Sequence, residues 1–327
     1  MFKKRTIGTV AGLVAAALVL AGCADSGSTG GDDASGDKPY VALVSKGFQH
    51  QFWQAVKSGA EQAAEEFDVE ITFEGPDTEA DVDQQIQMLQ TALDKNPAAI
   101  GFAALDSQAA GPLLQQAKDS NIPVIAFDSG VDSDIPVTTA ATDNLAAAAE
   151  AAKHMADAVD HKGKVALVVH DQTSVTGQER RDGFVQYMED NEPDIEIVDI
   201  QYGGGDQAKS ADLAKAIIAA NPDLAGIYGS NEGSAIGVVQ AVKELGIDPA
   251  TLAVVGFDSG KAQMDAIRDG LMIGAITQNP VGIGYETVKA AVEAIDGKDL
   301  PKTIDTGFYW YDSTNIDDEE IQAVLYE

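Results

Sequence analysis

The sequence predicts an α/β protein of two Rossmann-like lobes, each a parallel sheet flanked by helices. Three observations carry this. From Tyr40 onward, short apolar runs alternate with stretches of helical period. Those runs lack polar alternation, the mark of strands covered by helices on both faces. The runs also recur as a series: YVALVS (40–45) matches KVALVV (164–169), AIGFAALD (99–106) matches AGIYGSNE (225–232), and IPVIAFDSG (122–130) matches LAVVGFDSG (252–260), in the same order.

The first element is an export signal over 1–22. Lys3, Lys4 and Arg5 precede an apolar core from Ile7 to Leu20, too short to span a membrane comfortably. It ends in Leu20-Ala21-Gly22-Cys23, which resembles a bacterial lipobox and implies cleavage before Cys23 and lipidation of its thiol. Cys23 is the chain's single cysteine, so no intrachain disulfide can form. Residues 23–38 form the lipidated Cys and a linker whose 24–38 stretch is rich in Gly, Ser and Asp and has no apolar side chain larger than Ala, the composition of a flexible tether. The protein is therefore expected outside the cytoplasm, anchored to the cell membrane.

The body follows. Strands are expected near Tyr40–Ser45, Val69–Phe73, Ala99–Ala103 and Pro123–Phe127 in a first set. A second set falls near Lys164–Val169, Ile195–Gln201, Ala225–Tyr228, Ala253–Phe257 and Met272–Thr277. Helical patterns between them include Gln51–Phe67, Asp81–Lys95, Leu113–Ser120 and Asn144–Val159. Asn96-Pro97 and Asn221-Pro222 stop two helices, because the residue before proline is driven out of the helical region. About 290 residues of body suit two lobes better than one small sheet.

The formal charge is −32 and becomes −35 once the signal is removed. Such a surface repels phosphate backbones and argues against a nucleic-acid partner. The four histidines, His50, His154, His161 and His170, have no metal-ligand spacing, and neither an HExxH nor a phosphate-cradling glycine motif is present. No metal, cofactor or catalytic residue is assigned. Asp128 and Asp258, in the twin FDSG motifs, fall at the C-terminal ends of strands, where open α/β sheets place their ligand crevices. Asp-Ser-Gly is also ordinary turn chemistry. The duplication favours a site shared between the lobes.

The body resembles the type I periplasmic-binding-protein family, and within it the ribose/galactose-type sugar-binding proteins of ABC importers. ALVSKGFQHQFWQAVKSGAEQAA, IPVIAFDSG, Ala141-Thr142-Asp143-Asn144, QERRDGF, GSNEGSAIG, VVGFDSG and ITQNPVGIG carry the likeness in order, from about Tyr40 to Tyr311. It implies three hinge crossovers, near Thr142/Asp143, Gln278/Asn279 and Thr306/Gly307. The first lobe is then 38–142 plus 279–306 and the second 143–278 plus 307–327. It also implies a monomer that passes a monosaccharide or similar polyol to permease subunits served by a cytoplasmic ATPase.

At the matched positions, Asp128 and Asp258 can each accept from two hydroxyls, Arg180 can donate in a fork, and Asn231 and Gln278 can do both. Phe52 and Trp53 can stack on the ring, and Ser129 joins the ligand-binding set. Each has a bland alternative: Arg180 as a surface ion pair, Asn231 as the cap of Glu232–Leu245, Trp53 as core, Gln278 as a hinge residue. The chain departs from the ribose-type pattern at Lys46, which replaces a small hydroxyl residue, and at His50, which replaces Asn. Lys46 can serve a ligand hydroxyl or anion, or pair with Asp128. Gly203–Gly205 lacks an aromatic for the second ring face, a place Phe48, Phe102, Leu105 or Tyr202 can fill. Three rival functions remain: a same-fold carrier of a quorum signal, nucleoside or other small polar ligand; a sensor; and a cleft hydrolase, disfavoured because its two carboxylates stand on lobes that hinge.

Overall fold

The computed structural model describes residues 38–326. The signal segment, Cys23 and the tether as far as Asp37 lie outside the described residues. Along the chain come β1 (Tyr40–Val44), α1 (Gln51–Glu66), β2 (Glu70–Glu74), α2 (Val82–Asp94), β3 (Ala99–Phe102), α3 (Gly111–Asp119), β4 (Val124–Phe127) and β5 (Thr138–Ala141). Next are α4 (Asn144–Ala158), β6 (Gly163–Val169), α5 (Val175–Asn191), β7 (Ile195–Tyr202), α6 (Gln207–Ala220), β8 (Leu224–Gly229) and α7 (Glu232–Leu245). The chain ends with β9 (Ala253–Phe257), α8 (Lys261–Arg268), β10 (Gly274–Gln278), α9 (Pro280–Ile295), β11 (Thr303–Asp305), β12 (Phe308–Asp312) and α10 (Glu319–Gln322).

Two six-stranded sheets result, ordered β11-β5-β4-β3-β1-β2 and β12-β10-β9-β8-β6-β7. Strand order reverses at β1 in one and at β6 in the other, the switch points beside which α/β sheets form their crevices. Side-chain alternation gives each sheet two apolar faces. Val41 and Leu43 pack with α1 and α9, whereas Ala42 and Val44 meet α2 and α3. In the second sheet Val165, Leu167 and Val169 face α4 and α5, and Ala166 and Val168 face α6 and α7.

The expected strands and helices form within a residue or two of the positions read from sequence, but β5, β11 and β12 were not anticipated. β12 pairs antiparallel with β10, so the second sheet is mixed rather than wholly parallel. It can run that way because the chain reaches it directly from β11, through Thr306 and Gly307, with no crossover helix. The axes of α1 and α9 approach closely at Gly59 and Gly284. A side chain at Gly59 would overlap the Val281 carbonyl, and one at Gly284 the Val56 carbonyl. No described helix is long and apolar enough to cross a membrane.

Candidate functional site

The strand ends of both sheets point their loops at one cleft. Lys46 follows β1, Asp128 follows β4, His170 follows β6, Asn231 follows β8, Asp258 follows β9, and Gln278 closes β10. His50, Phe52 and Trp53 come from the start of α1, and Arg180 projects from α5. All of these line a single cavity with Glu79 and Thr176. The space left among them is about 20 Å3. A water needs roughly 10–15 Å3 measured in this way. Ser129 is buried beside the cavity but does not line it, and among the described residues its hydroxyl has no hydrogen-bond partner.

The twin aspartates share an uncommon backbone. Asp128 has φ +54° and Asp258 φ +78°, the left-handed region that carries strain outside glycine. Their amides donate to the neighbouring strand, Asp128 N to Ala140 O at 2.9 Å and Asp258 N to Ile276 O at 2.6 Å. Their carboxylates differ. Asp258 accepts from Gln278 Nε2 at 2.7 Å and from the Glu232 amide at 2.8 Å. Among the described residues, no hydrogen bond reaches the Asp128 carboxylate. Burial pushes its pKa up to about 6, against the pull of Lys46 and Arg180.

Arg180 is no surface ion pair. It is buried, donating from Nε to Asn144 Oδ1 at 2.8 Å and from Nη1 to Ser230 O at 3.1 Å. Asp258 Oδ2 lies 3.8 Å from Nη1, and the guanidinium carbon stands 3.8 Å over the centre of the Phe257 ring. Asn231 is both cap and cavity residue: its Oδ1 accepts from Ser234 N at 2.8 Å and starts α7. Trp53 is likewise both core and lining, meeting Phe52 edge to face at 5.0 Å.

Lys46 pairs with the opposite lobe rather than with Asp128. Its Nζ donates to Ser174 Oγ at 3.3 Å and Thr176 Oγ1 at 3.1 Å, and lies 3.7 Å from Asp171 Oδ2. Burial tends to raise the Asp171 carboxyl, but Lys46, His170 and the two Ser174 hydrogen bonds together outweigh it and hold the group below the ordinary range. Burial holds His170 below its usual value and so neutral; its Nδ1 meets Ser230 Oγ at 2.8 Å and its Nε2 meets Thr176 Oγ1 at 3.2 Å. None of Phe48, Phe102, Leu105 and Tyr202 lines the cavity. Phe48 packs on Phe73, Phe102 and Leu105 are buried elsewhere, and the Tyr202 hydroxyl accepts from Arg181.

Glu79, His170 and Thr176 were not anticipated. His170 had a signal: extending the YVALVS/KVALVV match by one residue sets it opposite Lys46. Glu79 lies in a turn-like loop, and its burial depends on contacts made by distant residues. Burial favours its protonated form, yet His50, Lys46, His170 and the Trp53 hydrogen bond together outweigh that and hold the carboxyl below its ordinary value. Across the cleft, the Glu232 carboxylate accepts the amides of Gln51 and Phe52, each at 3.2 Å, at the start of α1. Its own carboxyl is held up, chiefly by burial. His50 sits between two carboxylates, Nε2 3.8 Å from Glu79 Oε2 and Nδ1 3.9 Å from Glu232 Oε1. Among the described residues no cluster of side chains suits a metal ion.

Comparison with known proteins agrees with this geometry. The D-allose-binding periplasmic protein of Escherichia coli (strain K12) is 29% identical over 269 residues, 80% of this chain and 86% of that one. A carbohydrate transporter solute binding protein from Agrobacterium radiobacter, solved in complex with D-arabinose, has a TM-score of 0.86 at 28% identity, covering 89% of this chain and 100% of that one. An ABC transporter solute binding protein from Agrobacterium vitis, bound with α-D-tagatopyranose, has a TM-score of 0.85 at 31% identity, covering 89% of this chain and 100% of that one. Residues 41–299 match the family model described as periplasmic binding protein domain. With two lobes, a cleft at their switch points and a match over most of its length, this chain belongs to the periplasmic binding protein domain family.

Proposed function

We propose that the chain is the solute-binding lipoprotein of an ABC importer, which takes a monosaccharide or similar polyol into its cleft and delivers it to a membrane permease driven by a cytoplasmic ATPase. The observation that carries this reading is the mixed set of unengaged polar atoms at the cavity. Among the described residues, no hydrogen bond engages the Asp128 carboxylate, Gln278 Oε1 or the second guanidinium arm of Arg180, which leaves the first two to accept and the third to donate. Each hydroxyl of a sugar both donates and accepts, so a polyol satisfies both kinds at once. Phe52 and Trp53 offer apolar faces to ring C–H groups. The sugars named for the relatives support the same class.

Lys46, His50, Asn231 and Asp258 complete the contact set in this reading, with Ser129 behind them. The tight cavity requires the lobes to part before a ring can enter, pivoting where the chain crosses between sheets. Lobe boundaries at 38–142 plus 279–306 and 143–278 plus 307–327 suit that motion. A ligand favours the shut form only by its better affinity for it. Lipidation at Cys23 holds the monomer outside the cytoplasm at the cell membrane, and the tether lets it reach the permease. The chain acts without catalysis or a cofactor. Calorimetric titration of residues 38–327 with pentoses, hexoses and polyols tests this reading. A sub-millimolar partner from the panel is expected; none at all sinks the sugar assignment.

A further inference from the structure

Glu79 stands outside the ligand-gripping set, yet its carboxylate meets three residues that line the cavity, Trp53, Asn231 and His50. Its side chain is only 9% exposed. Oε1 accepts from Trp53 Nε1 at 2.7 Å, fixing the indole that faces the cavity. Oε2 accepts from Asn231 Nδ2 at 3.2 Å, a bond that crosses from one sheet's loops to the other's. The Glu79 amide donates to Gln49 Oε1 at 3.1 Å, and Gln49 Nε2 reaches Gly205 O at 3.4 Å on the facing side. Gly205 makes the room: a Cβ there would stand 2.9 Å from Glu79 Oε2 and 3.3 Å from Asn231 Nδ2.

We propose that Glu79 is a positioning residue that couples the orientation of Trp53 to lobe closure, by holding the indole with one carboxylate oxygen and Asn231 of the opposite lobe with the other. The proposal rests on the sugar-carrier reading for its binding consequence. Its structural consequence needs no ligand. One carboxylate can serve two donors because it has no hydrogen of its own, and a charged acceptor strengthens both bonds. When the lobes part, the Asn231 bond must break while the Trp53 bond can persist. Closure therefore completes the stacking platform and the Asn231 contact together.

The two halves separate by substitution. Glu79→Gln keeps an oxygen for Trp53 but turns an amide N–H2 toward the Asn231 amide, so only the cross-lobe bond is lost. Glu79→Ala loses both. In the full chain carrying Trp310→Phe, Trp53 emission and its acrylamide quenching report the indole, and a pair of spin labels reports the interlobe distance. Without ligand, both Glu79 variants should lengthen the mean interlobe distance, and only Glu79→Ala should change the emission. Affinity for the best panel sugar should fall about tenfold in each variant, the scale of one charge-assisted hydrogen bond.

Asn231→Asp keeps the α7 cap but sets a carboxylate against Glu79. It should open the lobes as well, and it carries the test if a Glu79 variant fails to fold. An unchanged interlobe distance in Glu79→Gln and Asn231→Asp overturns the coupling. Unchanged Trp53 emission in Glu79→Ala overturns the positioning role. If the parent binds no panel member, the sugar reading fails, and the two ligand-free measurements still decide for or against Glu79.

Discussion

Replacing Glu232 tests whether the lobes are held together by helix chemistry. Its carboxylate lies at the amino end of α1, a helix of the opposite lobe, and accepts the Gln51 and Phe52 amides at 3.2 Å each. His50, at the N-cap position, makes no side-chain cap hydrogen bond, so Glu232 caps in its place. Losing an N-terminal cap costs about 1 kcal/mol, and the charge facing the helix dipole adds about 0.3–1 kcal/mol. Against this, closure strips water from the carboxylate, whose pKa is held up by burial. A net loss of about 1–1.5 kcal/mol follows, which lowers the closure constant about five- to tenfold.

Glu232→Ala should therefore lengthen the interlobe distance where the free protein is mostly shut, and lower sugar affinity by the same factor where it is mostly open. Spin-label distances and calorimetry read the two effects. Glu232 also occupies the first turn of α7, so a thermal melt is needed to separate local helix loss from altered closure. Glu232→Gln keeps one acceptor and should fall between. Interlobe distance and affinity both unchanged in the two variants would refute the reasoning.

Acidification should weaken binding. With the Asp128 pKa near 6, only about a tenth of its carboxyl is ionised at pH 5, so affinity should drop about tenfold from pH 7 to pH 5. Calorimetry should find the dependence gone in Asp128→Asn; a flat profile in the parent contradicts the assignment. Arg180→Met removes the bonds to Asn144 and Ser230 and leaves Asp258 without its nearby cation. Urea denaturation should show a loss of about 3 kcal/mol. Gly59→Ala should destabilise by about 1–3 kcal/mol despite the better helix propensity of alanine, because its Cβ overlaps the Val281 carbonyl. A stability gain in the same assay would mean that α1 and α9 can move apart freely.

The parts of the fold legible in the sequence are those fixed by local chemistry. Buried strands such as Val165–Val169 are unbroken apolar runs because helices cover both faces. Asn231 could be read as a cap because its partner, Ser234, is three residues away. β5 (TTAA), β11 (TID) and β12 (FYWYD) were hidden for the opposite reason. They are short, partly polar, and strand-like only because a neighbouring strand pairs with them. Lys46 shows the same limit in the site: its residue type was visible, but its partners Ser174 and Thr176 are 128 and 130 residues away. Glu79 is the extreme case, since nothing within its own loop demands burial.

The twin FDSG motifs keep one backbone and have diverged in side-chain economy. Asp258 is satisfied by its own lobe: Gln278 and the Glu232 amide occupy it, and Arg180 stands beside it. Asp128 has no such partner, because Lys46 is drawn across the cleft to Ser174, Thr176 and Asp171. A buried carboxylate without donors is costly, and its raised pKa expresses that cost. An unfolded aspartate ionises near pH 3.9, about two units lower. Asp128 therefore contributes stability below about pH 4, and this is lost as the pH rises through about 6. At neutral pH, Asp128→Asn should leave stability level or raise it while weakening sugar binding, because ligand hydroxyls supply the donors the protein withholds. Asp258→Ala should lower both, since it strips Gln278 and Arg180 of their partner. Thermal melts and titrations of the two variants at pH 7 read these signs, and a shared loss of stability would mean that both aspartates serve the fold alone.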